Sequence, residues 1–147
     1  MSSFRLQIVT PDGSVFDGEA EALRLRTTEG YVSIRAHHAD YIAALEIGTV
    51  SVTQNGETRD AACGGGFLSV SKGEVQLVAT TFEYAENIDV ARAEDAKRRA
   101  EERLAAAQET KDVEIATAKL LRALNRLSVA GKEAGGKEWI QIQFMKS

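Results

Sequence analysis

Along residues 4–80 apolar side chains recur at every second position. Phe4, Leu6 and Ile8 alternate with Arg5 and Gln7 in FRLQIVT, Leu23 and Leu25 alternate with Arg24 and Arg26 in LRLRT, and TVSVT, FLSVS and EVQLVAT repeat the pattern. Alternation of this kind puts one set of side chains in a core and the other in water, as in half-buried strands. Between the runs, TPDG, QNGE and SKGE supply the Gly and Asn that tight reversals need for positive φ. About eight short strands, with turns roughly every 8 to 12 residues, predict a compact antiparallel sandwich or flattened barrel.

From residue 88 the period becomes helical. Val90, Ala93, Lys97, Ala100, Leu104 and Ala107 share one face, and after the polar break QETKD so do Val113, Ala116, Leu120, Leu124 and Leu127. A break of about five residues makes two helices antiparallel neighbours. The first brings mostly Ala to the seam and the second Leu. Such a seam allows close approach but buries little area, about 1 kcal/mol or less for each Ala methyl. A hairpin of this kind is expected to be marginally stable when closed and separable from the sandwich, as a movable arm would be. The predicted class is α+β: an antiparallel β-sandwich over residues 1–86, an antiparallel two-helix hairpin over 87–130, and a Gly-rich tail over 131–147. In that tail Ile140, Ile142 and Phe144 alternate with glutamines like an amphipathic strand suited to a sheet edge or a partner.

Charge follows the same division. Residues 1–87 hold six Lys/Arg against twelve Asp/Glu, whereas 88–130 hold nine against eight. The acidic first part offers no electrostatic footprint for nucleic acid or for an anionic membrane surface. Apolar residues at 44% and charged residues at 27% of the 147 are globular values. The opening MSSFRLQIV lacks a basic flank and a long apolar run, and no stretch approaches the roughly 18 apolar residues of a membrane span, so a cytosolic protein is expected.

Candidate chemistry is sparse. The single cysteine, Cys63, can form no internal disulfide and no zinc spacing, and is expected as a small buried side chain. GGGF at 64–67 precedes a strand and lacks the Lys-Ser/Thr of a phosphate loop, so it is read as a bulge or tight strand opening. His37 and His38 are adjacent and point in opposite directions on extended chain, with no third ligand in place for a metal. No nucleophile motif accompanies them. No active site is predicted. NIDVARAEDAKRRA at 87–100 is more informative, because Asp89, Arg92 and Arg99 fall on nearly one helix face. Either Asp89 is a helix cap beside solvated arginines, or the set is a ligand clamp.

Residues 4–130 resemble the epsilon subunit family of bacterial F-type ATP synthase. The likeness is carried, in order, by VTPDGSVFDGE, GGGFLSVSKGEVQLVA, IDVARAEDAKRRAEERL and RALNRLSVA. It implies a non-catalytic rotor-stalk subunit, peripheral on the cytoplasmic face of the membrane and not inserted in it. The sandwich would bind the foot of the gamma subunit and sit on the c-subunit ring. The hairpin would rest by the sandwich when folded, and would reach the alpha/beta catalytic head and block ATP hydrolysis when extended. Bacterial members carry an ATP-binding Ile/Leu-Asp-x-x-Arg-Ala motif, matched by Ile88, Asp89, Arg92 and Ala93; Arg99, Arg122, Arg126 and Glu83 complete the implied set. ATP would then be a regulatory ligand, with no cofactor required. The same arginines could instead meet acidic surface on the catalytic head when the arm extends. Where the family has Glu-Leu-Gly-Ile-x-Pro-Gly-His-x-Pro facing the ring, this chain reads YVSIRAHHADY, keeping Ile34 and His38 but losing both prolines and the acid, which predicts a less rigid loop. The alternative from another class is a stand-alone ATP-binding sensor whose sandwich docks a different partner.

Overall fold

The computed structural model describes residues 2–131, so the strand expected over 140–144 lies outside the described residues. The chain divides into two compact units, Met1–Tyr84 and Ala85 onward.

The first unit contains ten strands: β1 Phe4–Thr10, β2 Gly13–Ala20, β3 Ala22–Thr27, β4 Gly30–Ile34, β5 Tyr41–Leu45, β6 Gly48–Gln54, β7 Glu57–Cys63, β8 Gly66–Ser71, β9 Glu74–Ala79 and β10 Phe82–Tyr84. They hydrogen-bond in the order β10-β7-β6-β3-β5-β8-β9-β1-β2, with β4 added on β3. The count exceeds the expected eight because β10 is three residues long and β2 is largely exposed, leaving little alternation to read. One pairing departs from the antiparallel expectation. β1 runs parallel to β9, from Arg5 opposite Glu74 to Val9 opposite Val78. Parallel neighbours cannot be joined by a tight turn; here the intervening strands of the unit form the connection.

Alternation translates directly into the core. Leu6, Ile8, Leu23, Leu25, Leu68 and Leu77 are fully buried, and the residues between them face outward. At about 25 cal/mol per Å² of apolar surface, each such side chain contributes roughly 1.5–3 kcal/mol, and a register slip of one residue would forfeit the whole set.

The glycine run is a close passage of backbone past backbone. The Gly64 N–H donates to Thr81 O at 3.0 Å and the Thr80 N–H donates to Gly65 O at 3.0 Å. Gly66 opens β8 at φ +144°, and a Cβ there would lie 1.9 Å from the Val78 carbonyl oxygen. Cys63, at the end of β7, is buried, and that burial pushes its thiol above the ordinary range, against a smaller opposing effect of the Gly65 carbonyl. It is therefore a packing residue in its unreactive, protonated form.

In the second unit a short 3-10 turn at Ala85–Asn87 leads to α1, Val90–Ala106, and α2, Thr110–Val129. The connection is residues 107–109, shorter than the polar break, because Thr110, Lys111 and Asp112 already form the first turn of α2. Ala93 and Ala100 are the buried residues of α1; Ala116, Leu120, Leu124 and Leu127 are buried on α2, together with Leu121, Ala123 and Asn125 outside the expected stripe. Val113 departs from that stripe. It lies at the hairpin tip, where the seam ends, and is exposed.

Replacing Gly66 by Ala combines positive-φ strain with a backbone clash, and should lower the unfolding free energy of the sandwich by about 3 kcal/mol. Gly13→Ala is the control, since Gly13 also has positive φ but nothing within 4 Å of an added Cβ; it should cost about 1 kcal/mol. Urea titrations of both variants check the difference.

Candidate functional site

Three surfaces carry candidate chemistry, one on the hairpin and two on the sandwich. On the hairpin, Asp89 occupies the N-cap of α1 in extended conformation (φ −80°, ψ 99°), and its Oδ1 accepts from the Arg92 backbone N–H at 3.1 Å. Capping satisfies one orphan donor of the first turn and sets a negative charge at the positive end of the helix dipole. The cap reading of Asp89 is therefore correct as geometry, and its second carboxylate oxygen can still accept from a ligand.

The linker folds α2 back on α1, so residues equally distant from it stand level. Arg92 is thus level with Leu124, between Arg122 and Arg126. At about 100° per residue, Arg92 and Arg99 share one flank of the α1 seam and Arg126 lies on the flank of the α2 seam that antiparallel packing turns to the same side, whereas Arg122, about 200° from both Leu120 and Leu124, lies on the outer face of α2. Arg92 and Arg122 are exposed and Arg126 is half-buried. Arg99 is set apart, about 10 Å further along α1. Its Nε pairs with Asp95 Oδ2 at 3.3 Å. Arg98 belongs to the same network, bonding Asp95 and, at 3.3 Å, Glu102, and these partners hold its guanidinium above the ordinary range, Asp95 foremost. Ile88 and Ala93 are buried packing positions, while Glu83 lies on β10 opposite Ala62, in the first unit.

The second surface was not singled out by the sequence pattern. On the outward face of β5-β8-β9-β1, Ala44 is opposite Phe67, Phe67 opposite Val78, and Val78 opposite Val9, with Ile42 beside them on β5. Ile42 is 78% exposed, Phe67 62% and Val78 43%. Large apolar side chains in register across four strands form a continuous patch of the kind that marks an interaction site. The available signal was the doublets Ile8-Val9, Phe67-Leu68 and Leu77-Val78, where an apolar residue stands in the polar phase of a strand.

The third is the connection from β4 to β5. Ile34 ends β4 opposite Leu23 and is fully buried, so its side chain supports the core and is not presented to a partner as the resemblance implied. His38 Nδ1 lies 2.7 Å from Ala39 O, and its ring meets Tyr41 edge-on at 5.8 Å. His37 has φ +66°. That is the left-handed region, which favours glycine over a residue with a Cβ. Among the described residues, no group of three or more His, Cys, Asp or Glu is placed to hold a metal, and no helix is long and apolar enough to cross a membrane.

A β-sandwich followed by an antiparallel helical hairpin, with an apolar outer sheet face and arginines along one hairpin flank, defines a two-part class. The chain belongs to the delta/epsilon chain family of ATP synthase: residues 3–85 match its beta-sandwich domain and residues 86–131 its long alpha-helix domain. Among similar curated proteins, the ATP synthase epsilon chain of Ruminococcus albus is 40% identical over 134 residues, covering 90% of this chain and all of the relative. That of Bacillus subtilis is 42% identical over 132 residues, with the same coverage of both. The fold is also shared with a chain of the Euglena gracilis mitochondrial ATP synthase, at TM-score 0.67 and 19% identity over 98% of this chain and 82% of that one.

Asp89→Ala should destabilise the first turn of α1 by about 1 kcal/mol, and Asp89→Asn by less, because Asn caps nearly as well. Hydrogen exchange at the Arg92 amide measures it, the Ala variant exchanging several-fold faster.

Proposed function

We propose that this chain is the non-catalytic central-stalk subunit of a rotary ATP synthase, on the cytoplasmic side of the membrane, with a sandwich that docks and a hairpin that regulates. The observation that carries the reading is the apolar patch of Ile42, Phe67, Val78 and Val9, which stands on the outside of an already complete sandwich core. Water exposure of three large apolar residues in register is unfavourable by several kcal/mol unless a partner covers them. The gamma subunit, foremost on the grounds of family membership, is that partner, and the c-subunit ring lies beyond it.

The hairpin adds regulation. Arg92 and Arg126 supply forked donors for phosphate oxygens, the N-terminus of α1 adds its dipole, and the Asp89 carboxylate accepts from an adenine amino group. These groups converge only while α1 and α2 are packed together, so ATP binds the closed arm in preference to the open one. A ligand shifts such an equilibrium by its differential affinity; at ten times its Kd, ATP favours the closed arm by about 1.4 kcal/mol. Scarce ATP then releases the arm toward the alpha/beta head, where it blocks hydrolysis.

Calorimetric titration with ATP should give a Kd between about 1 µM and 1 mM, weakened ten- to a hundredfold by Arg92→Ala or Arg126→Ala, each removing a charged hydrogen bond of about 1.5–3 kcal/mol. No binding at several millimolar ATP would end the sensor reading. Pull-down from native membranes should recover gamma and the catalytic subunits with the wild type and lose them with Phe67→Glu. Failure of the wild type to recover them at low salt would favour a free-standing adaptor instead.

A further inference from the structure

The QNGE turn contains the one Asn-Gly pair of the chain; Asn87 and Asn125 are followed by Ile88 and Arg126. It joins β6 to β7 through a two-residue loop, with Gln54 opposite Glu57 and left-handed φ at both Asn55 (+53°) and Gly56 (+77°), as the twist of a tight hairpin requires. Both residues are exposed. Asn before Gly is the dipeptide most prone to cyclic imide formation, because no side chain shields the glycine nitrogen from the asparagine amide carbon. Closing that ring requires the glycine N–H to give up its proton and its nitrogen to turn onto Asn55 Cγ. Here that nitrogen is engaged. The Gly56 N–H donates to Glu21 Oε1 at 2.8 Å, 35 positions away in the chain. Two further bonds secure the same corner: the Glu21 backbone N–H donates to Thr53 O at 2.8 Å, and Gln54 Nε2 donates to Glu19 O at 2.9 Å. Residues 19–21, where β2 passes into β3, are thereby stitched to the β6–β7 turn.

We propose that Asn55 is a deamidation site and that Glu21 is the group that holds it shut. The inference is independent of the docking and regulatory readings. In the reaction the Gly56 nitrogen loses its proton and bonds to Asn55 Cγ, the Cγ–Nδ2 bond breaks, and Nδ2 leaves as ammonia carrying that proton. Water then opens the cyclic imide at one of its two carbonyls, leaving aspartate or, with the backbone rerouted through Cβ, isoaspartate. No oxidant or cofactor is consumed. Glu21 opposes the first step in two ways. Its hydrogen bond must break before the nitrogen can turn, and a carboxylate beside the amide disfavours the negative charge that loss of the proton would create there. Once formed, either product places a new negative charge one residue from the Glu21 contact and two from Glu57, and isoaspartate also adds a carbon to a loop of fixed length. Both effects oppose re-formation of the Gly56–Glu21 bond, so modification releases the turn from the β2–β3 corner for good.

The full chain and its Glu21→Ala and Glu21→Gln variants are incubated at mildly alkaline pH and digested with trypsin. Cleavage after Arg35 and Arg59 releases a peptide, residues 36–59, that carries Asn55 and is the same in all three. Mass spectrometry follows the gain that accompanies replacement of the amide by a carboxyl group, and chromatography resolves isoaspartate from aspartate. Glu21→Ala should deamidate about tenfold faster than the wild type, through loss of one charged hydrogen bond, and Glu21→Gln, which keeps a neutral acceptor, should fall between. The isolated 36–59 peptide, free of the fold, should react faster than any of the three. Gly13→Ala lowers the stability of the same unit without touching the turn and should match the wild type, which separates unmasking from general loosening. Amide spectra establish that each variant is folded; should Glu21→Ala not fold, Glu21→Gln carries the comparison. An unchanged rate in the Glu21 variants, or a free peptide no faster than the wild type, would overturn the proposal. So would a slower rate in Glu21→Ala, since the carboxylate would then be a base that assists the attack.

Discussion

Burial of Leu6, Ile8, Leu23, Leu25, Leu68 and Leu77 on the inner face of the sandwich is the constraint on which the other surfaces depend. The side-chain period of a strand is two, so committing these residues inward commits their neighbours outward. Phe67 and Val78 are exposed because Leu68 and Leu77 are buried, and Arg24 faces out because Leu23 and Leu25 face in. A slip by one residue would exchange the sets, placing arginine in the core and leucine in water. The outer surfaces are thus held in place by the same free energy that folds the unit.

Closure of that unit depends on two features that act at a distance. The parallel pairing of β1 with β9 joins the first strand to one near the end, and the Gly64–Gly66 passage lets the segment between β7 and β8 run against Thr80 and Thr81. Both are costly in chain entropy until the remaining strands are in register, because they link residues far apart in sequence. Once formed, they bring Val9, Val78 and Phe67 into one row. Assembly of the apolar patch and closure of the sheet are consequently the same event.

The hairpin is organised differently. Its α1 seam is alanine, which brings little apolar area, and the exposed side of α1 is laced by the pairs Asp95–Arg98, Asp95–Arg99 and Arg98–Glu102 within the helix. Such pairs, worth a few tenths of a kcal/mol each at the surface, support α1 locally whether or not α2 is packed on it. On α2, by contrast, Leu120, Leu121, Leu124 and Leu127 are buried, and each contributes roughly 1.5–3 kcal/mol that exposure would forfeit. In the proposed function, arginines from both helices meet a polyanion only in the packed form, so the ligand would add to the packed side of the balance.

By itself the sequence determined whatever depends on neighbours within a few residues: the change of period near residue 88, the turns, the antiparallel hairpin, the cap at Asp89 and the inward half of each strand. Helix phase and a short linker also put Arg92 level with the Arg122–Arg126 turn, because an antiparallel hairpin has few degrees of freedom. Tertiary structure alone decided the parallel β1–β9 pair, the passage that only Gly66 can occupy, the burial of Ile34, and the joining of Ile42, Phe67, Val78 and Val9 across four strands. It also stacked Arg24 on Tyr31. The reason is physical: apart from the Arg24–Tyr31 contact and the Phe67–Val78 pair, which lie across the short β3–β4 and β8–β9 hairpins, these depend on the register between strands distant in the chain, and that register is selected by burial of the whole core, not by any short stretch of it.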